Sequence, residues 1–143
     1  MANNYAVAEP HERCRYIFCL DKLFGITPKN IKITQLEWGV NVTPSIDTNY
    51  LINFCLFHKW RRFELKKDSI EGKYHQVEHS DYIIKLYNKS LQFKLNQPLI
   101  RFERKQIKYS KYSKSKGIGQ TLFDLIDSDF VGLKETLLDD WLK

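Results

Sequence analysis

The sequence predicts an α+β fold: an antiparallel β-sheet with helices packed on one face and an amphipathic helix at the C-terminus. Three observations carry this. Several segments alternate apolar and polar residues with period two, which gives each strand one face for a core and one for water. Between and after them lie segments whose apolar residues recur at helical spacing. The chain has 143 residues, 43% of them hydrophobic and 14% aromatic, which suffices for one real core and argues against disorder.

Taken in order, residues 10–24 predict a helix: Pro10 suits a first turn, Cys14, Ile17, Phe18 and Leu23 or Phe24 share a side, and Gly25 can end it. After a turn at ITPKN, residues 31–42 (IKITQLEWGVNV) read as a long strand. Leu36, Trp38, Val40 and Val42 form its apolar face; Gln35, Glu37, Gly39 and Asn41 form the other. Thr43-Pro44 breaks it, and residues 47–58 predict a helix with Leu51, Phe54, Cys55 and His58 on one side. A basic, aromatic-bearing hairpin follows, turning around Lys67–Gly72.

Residues 82–89 are a strand with Ile84 and Leu86 toward the core and Lys85, Tyr87 and Lys89 away from it. A short helix or irregular link leads to a strand at 99–109, with Ile100 and Phe102 inward and Arg101, Glu103 and Lys105 outward. Residues 106–120 read as a basic linker. Residues 121–143 form a helical segment, with Ser128 as N-cap and Phe130, Leu133, Leu137, Leu138, Trp141 and Leu142 as the apolar stripe. The whole of 1–143 is expected to be one domain.

Charge narrows the partner. A net charge of +6 points to an anionic one, either nucleic acid or a nucleoprotein, with an acidic protein as the other reading. Cys14, Cys19 and Cys55 form no CxxC pair and read as reduced thiols. No apolar run reaches signal-peptide or membrane-span length, so a cytoplasmic protein without a membrane partner is expected.

If the three alternating strands are neighbours, Glu37, Asn41, Lys85, Tyr87, Lys89, Arg101, Glu103 and Lys105 meet on one open surface. Two carboxylates beside a tyrosine suit a divalent cation (Mg or Mn) on oxygen ligands and a transesterification at phosphorus. Cross-strand ion pairs on a solvated face produce the same alternation, and periodicity alone favours them. A second signal is the run Arg101, Arg104, Lys105, Lys108, Lys111, Lys114 and Lys116 with Tyr109 and Tyr112 interleaved. Cations that track phosphates, and rings that stack on unpaired bases, suit RNA or single-stranded DNA; a solvated lysine-rich loop is the plainer reading. Lys59, Arg61 and Arg62, with Lys66, Lys67, Trp60 and Phe63 around them, form a second basic cluster. His79 is a candidate ligand in a mixed histidine–carboxylate site.

Four stretches in order, FGITPKNIKITQLEWGVNV, HSDYIIKLYNKSLQF, LIRFERKQIKY and GIGQTLFDLI, carry a resemblance. Together they resemble replication-initiator-like proteins of phages and plasmids, especially those of Bacteroidetes, and more distantly the filamentous-phage gene II and plasmid Rep classes. Those proteins carry a "K-x-Y-D-K" strand and an "R-F-E" strand. The resemblance implies rolling-circle initiation, in which a tyrosine attacks a DNA phosphodiester with help from a divalent metal. It makes Glu37, Glu103 and His79 metal ligands, Tyr87 or Tyr74 the nucleophile, and Lys85, Lys89 and Arg101 phosphate binders. Asn88 stands where the family pattern has Asp, and only about thirty residues precede the first strand. Both features favour a shortened, initiator-derived protein of a mobile element that binds nucleic acid or ribonucleoprotein rather than nicking it. Small proteins of such origin can inhibit host defence, as anti-CRISPR proteins do; an active tyrosine nickase is the alternative.

Overall fold

The computed structural model describes residues 22–68, 72–130 and 132–142. Strands β4 (Glu64–Asp68), β5 (Gly72–Glu78), β6 (Tyr82–Asn88) and β7 (Ile100–Gln106) follow one another as an antiparallel meander. Strand β1 (Leu36–Val42) completes the sheet by pairing antiparallel with β7, which gives the order β1-β7-β6-β5-β4. A separate two-stranded ribbon is made by β2 (Phe57–His58) and β3 (Arg61–Arg62). The helices are α1 (Thr48–Phe54), α2 (Lys89–Phe93), α3 (Tyr109–Lys116), α4 (Leu122–Asp127) and α5 (Leu133–Trp141). The expected α+β plan is therefore present.

Side-chain alternation decides which face is covered. Ile84 and Leu86 of β6, Ile100 and Phe102 of β7 and Val77 of β5 are buried together against Ile52 of α1 and Leu137 of α5. A second cluster joins Tyr109 and Tyr112 of α3 to Leu125 of α4 and Leu133 of α5. Trp38 of β1 touches both clusters, donates its indole N–H to the Leu133 carbonyl at 2.9 Å, and packs against Tyr112. Helices α1, α3, α4 and α5 thus share the face that Ile84 and Leu86 define, and the opposite face is left open.

Several expectations need correction. Lys89 opens α2 and is not the last residue of a strand. Asn88 caps that helix, its side chain accepting from the Leu91 N–H, while its amide reaches Asn49. Helix α1 stops at Phe54, so His58 lies in β2, and Ile52 rather than Phe54 fills the core. Residues 109–116 form a helix instead of a linker, because Tyr109 and Tyr112 bury on one side and leave the lysines outside. The C-terminal segment is two helices: Thr121 makes a capping box with Asp124, Ser128 ends α4, and Gly132 at φ 79° precedes α5. The predicted helix over 10–24 lies outside the described residues up to 21, as do Cys14 and Cys19. Residues 22–24 are helical, and Gly25 follows at φ 61°.

Because Leu86 is fully enclosed while Val40 on the same sheet face is 41% exposed, the two sites should respond differently. Leu86→Ala is expected to cost about 2–5 kcal/mol in urea unfolding, and Val40→Ala under about 1 kcal/mol.

Candidate nucleic-acid interface

The register places the open face residue by residue. Asn41, Arg101, Tyr87 and Tyr74 lie in one cross-strand row, Gly39, Glu103, Lys85 and Gln76 in a second, and Glu37, Lys105, Ile83 and Glu78 in a third. The predicted meeting of Glu37, Lys85, Tyr87, Arg101, Glu103 and Lys105 is real. All of them but Lys105 are engaged with one another. Lys85 Nζ donates to Glu37 Oε1 at 2.7 Å, and Tyr87 Oη donates to Glu103 Oε1 at 2.8 Å. Arg101 Nε pairs with Glu103, and its Nη1 reaches Asn41 Oδ1 at 3.0 Å. Gly39 makes room for this: a Cβ there would sit 2.6 Å from Glu103 Cγ and from the Phe102 carbonyl.

Electrostatically the open face is balanced. Its described side chains include four carboxylates (Glu37, Glu64, Glu78, Glu103) and four cations (Lys66, Lys85, Arg101, Lys105). Burial alone would raise the Glu103 carboxyl, but Arg101 and Tyr87 hold it below its ordinary value. Tyr87 moves the other way. Burial, then its bond to the Glu103 carboxylate, push its hydroxyl well above the ordinary tyrosine range. A nucleophile needs the opposite shift or a free base. Tyr74 pairs opposite Tyr87 across β5 and β6.

His79 does not join Glu37 and Glu103. It stacks on Tyr82 (4.5 Å between ring centres), and Tyr82 points to the helix-covered face. The sheet therefore stands between His79 and the two carboxylates. Among the described residues no group of three histidine, cysteine, aspartate or glutamate side chains is arranged to hold a metal.

What surrounds His79 is a polar hub that sequence reading missed. Asp140 of α5, 2% exposed, receives Lys59 Nζ at 2.6 Å and Arg104 Nη1, with His58 Nε2 at 3.6 Å. Arg104 also donates to Gln106 and lies 3.6 Å over the Tyr82 ring. His58 Nδ1 and His79 Nε2 are 2.8 Å apart. The nearby carboxylate favours a proton on His58 Nε2, so in the neutral pair Nδ1 accepts and His79 Nε2 donates. Burial alone would raise the Asp140 carboxyl, but His58, Lys59 and Arg104 hold it well below the carboxylate range. Arg104 is thus spent inside, and the half-buried Lys59 is committed to the same carboxylate. The signal was present: Asp140 sits with Leu133 and Leu137 on the stripe of α5, and Arg104 shares the alternation of Ile100 and Phe102. A groove of about 500 Å³ between Phe57 and Trp141 opens beside the hub, and its polar walls, His58 and Asp140, already face each other.

The hub also fixes a hairpin tip. Lys59 and Trp60 link β2 to β3 with φ of 46° and 67°, the two-residue turn that ordinarily calls for Asn-Gly. A bulky residue there is strained and persists only where its surroundings hold it. Lys59 on Asp140 and on Tyr82 Oη at 3.1 Å does so, as does Arg61 Nη1 on the Glu78 carbonyl at 2.8 Å. The result presents Trp60, 98% exposed, with Arg61 and Arg62 also exposed beside it.

Three residues after Glu78, Asp81 receives Lys111 Nζ at 3.0 Å and Lys108 Nζ at 3.3 Å. Three residues of chain span at most about 11 Å. The turn between β5 and β6 therefore touches both the Trp60 hairpin, through Glu78, and α3, through Asp81. Lys108, Lys111, Lys114 and Lys116 are all exposed along α3, while Tyr109 and Tyr112 are core and cannot stack on bases. Lys89 lies over the Phe93 and Tyr87 rings. The basic strip is Arg61, Arg62, Lys108, Lys111, Lys114 and Lys116, with Trp60 at one end. No family model, curated protein or solved structure matches this chain.

Two predictions follow from the hub. Asp140→Asn leaves Lys59 and Arg104 without their carboxylate and is expected to cost about 3–5 kcal/mol in chemical unfolding. Burial, with the charges of His58, Arg61 and Lys59, pushes the His79 ring down from 6.5 to about 4. Between those pH values the unfolded chain binds a proton that the folded protein excludes, so acid destabilises the fold across that window. Below it this contribution is constant, and loss of the Asp140 carboxylate takes over. Melting temperature followed from pH 7 to 4 should fall less steeply in His79→Gln than in the parent.

Proposed function

We propose that this protein binds single-stranded nucleic acid, RNA or DNA, as such or within a nucleoprotein, through the strip that begins at Trp60. The observation that carries the reading is a tryptophan held almost wholly in solvent by a strained turn, with Arg61 and Arg62 beside it. An indole in that position offers a flat platform for an unpaired base, and neighbouring cations track the phosphates. Lys108, Lys111, Lys114 and Lys116 continue the cationic track along α3. A duplex keeps its bases stacked inside and gains nothing from Trp60, so single strands are the favoured class.

The initiator resemblance fits this reading as binding without nicking. The Tyr87 hydroxyl donates to a carboxylate already held by Arg101, and that bond disfavours its ionisation. The sheet face where the resemblance puts catalysis is neutral by charge count, whereas α3 carries lysines on its outer side with only Asp81 against them. An inhibitor of host defence that occupies a guide-RNA complex is one role such a surface would serve.

Fluorescence anisotropy with labelled single-stranded RNA, single-stranded DNA and duplex DNA tests the proposal. Single strands are expected to bind more tightly than duplex, with affinity falling steeply as salt rises. Trp60→Gly should weaken single-strand binding about tenfold, the scale of one lost stacking contact, and leave the melting temperature unchanged or higher, because glycine relieves the turn. Negligible affinity at low salt for every probe would overturn it and leave an acidic protein as the partner to pursue.

A further inference from the structure

We infer that Asp81 is a built-in competitor for the phosphate site of this strip: its carboxylate occupies the fork of Lys108 and Lys111 that a backbone phosphate takes when a strand binds. The inference rests on the binding reading above and concerns how that surface is held when empty.

The main chain of Asp81 is fixed. Its carbonyl accepts from the Ile107 N–H at 2.9 Å, the Lys108 N–H at 3.2 Å and Gln106 Nε2 at 2.9 Å. Gln106 is itself 2% exposed and is held by Arg104. The side chain is therefore delivered to one place rather than left to wander. There Lys111 Nζ contacts both carboxylate oxygens, at 3.0 and 3.3 Å, and Lys108 Nζ lies 3.3 Å from one of them. Two ammonium groups converge on two oxygens that share one negative charge. A phosphodiester offers the same thing: one charge over two non-bridging oxygens.

The energetics allow exchange. Lys108 and Lys111 are more than half exposed, and the Asp81 side chain is 26% exposed. Ion pairs this open contribute little each and are screened by salt. A strand already anchored at Trp60 brings its phosphates to the fork at high local concentration and displaces the carboxylate. While the strip is empty, the same carboxylate neutralises one of its charges, which lowers its pull on unselected polyanions. Asp81 thus shifts the surface from general charge attraction toward strands that also engage the tryptophan.

The test compares Asp81→Asn with Asp127→Asn, which removes the same charge from an exposed acid that makes no ion pair among the described residues. Both are titrated with single-stranded RNA and DNA across a salt series. Asp81→Asn is expected to raise affinity about three- to tenfold over the control, the scale of two freed surface pairs, and to steepen the slope of log affinity against log salt by about one. In the Asp81→Asn background, Lys111→Ala should cost more affinity than it does in the parent. Equal gains in the two aspartate variants, or a Lys111→Ala effect that ignores the background, would overturn the inference. Parental affinity reads the binding proposal separately: strands that bind the parent but respond alike to both aspartate changes remove only the competitor. If the parent binds no strand, the binding proposal falls, and the competitor that rests on it falls too.

Discussion

The structure depends on one buried carboxylate. Asp140 is the point at which the C-terminal helix, the interior strand β7 and the β2–β3 ribbon are tied together, through Arg104, Lys59 and His58. A lone charge at that depth would be very costly, and the arrangement persists because cations and ring nitrogens surround it. Buried ion pairs are weak devices for net stability, since desolvation consumes most of the attraction. Their use here is positional. An apolar residue at 140 could pack α5 against the sheet, but it could not hold the Lys59 backbone at a positive φ or aim the next residue outward. The exposed tip is a consequence of the buried acid.

The period-two strands were legible in the sequence because alternation and burial are the same fact seen twice. Ile84 and Leu86, or Ile100 and Phe102, can only point one way once their neighbours are charged. The helices were less legible where composition misled. Residues 109–116 look like a solvated linker, with three serines and three lysines, yet Tyr109 and Tyr112 lie three apart and bury together. Two large rings outweigh six polar residues when five of them face water and the sixth, Ser113, buries its hydroxyl on the Ser110 carbonyl. The split between α4 and α5 was hidden for a similar reason: the leucines continue across the break, and only Ser128 and Gly132 mark it.

Charge was the least legible property, because a sequence gives the sign of each residue and not its partner. The cations that the alternating pattern marked out, Lys85 and Arg101, are spent on Glu37 and Glu103, and Arg104 is spent on Asp140. The exposed cations of the ribbon and of α3 come from segments without a strong periodic signal. The two arginines of β7 find their acids on the same strand, Glu103, and on the covering helix, Asp140. Lysines on the outer side of a short helix whose inner side is tyrosine have no acid within reach unless a loop supplies one, as the turn at Asp81 does.

That contrast also bears on what kind of surface this is. A catalytic face concentrates uncompensated groups and shifts their protonation toward reaction; the face bearing Tyr87 pairs its groups and shifts the tyrosine away from it. A binding surface needs something else: a rigid contact that costs little to order, and charge that can change partners. The backbone that presents Trp60 is fixed because its turn is over-determined from below, by Lys59 on Asp140 and Arg61 on the Glu78 carbonyl. Lys108 and Lys111 are already ordered on Asp81, so a phosphate arriving there replaces one anion with another and orders no free side chain. Strain at one end of the strip and a provisional ion pair at the other both reduce the entropy lost on binding. They are arranged as a surface that waits for a strand would require.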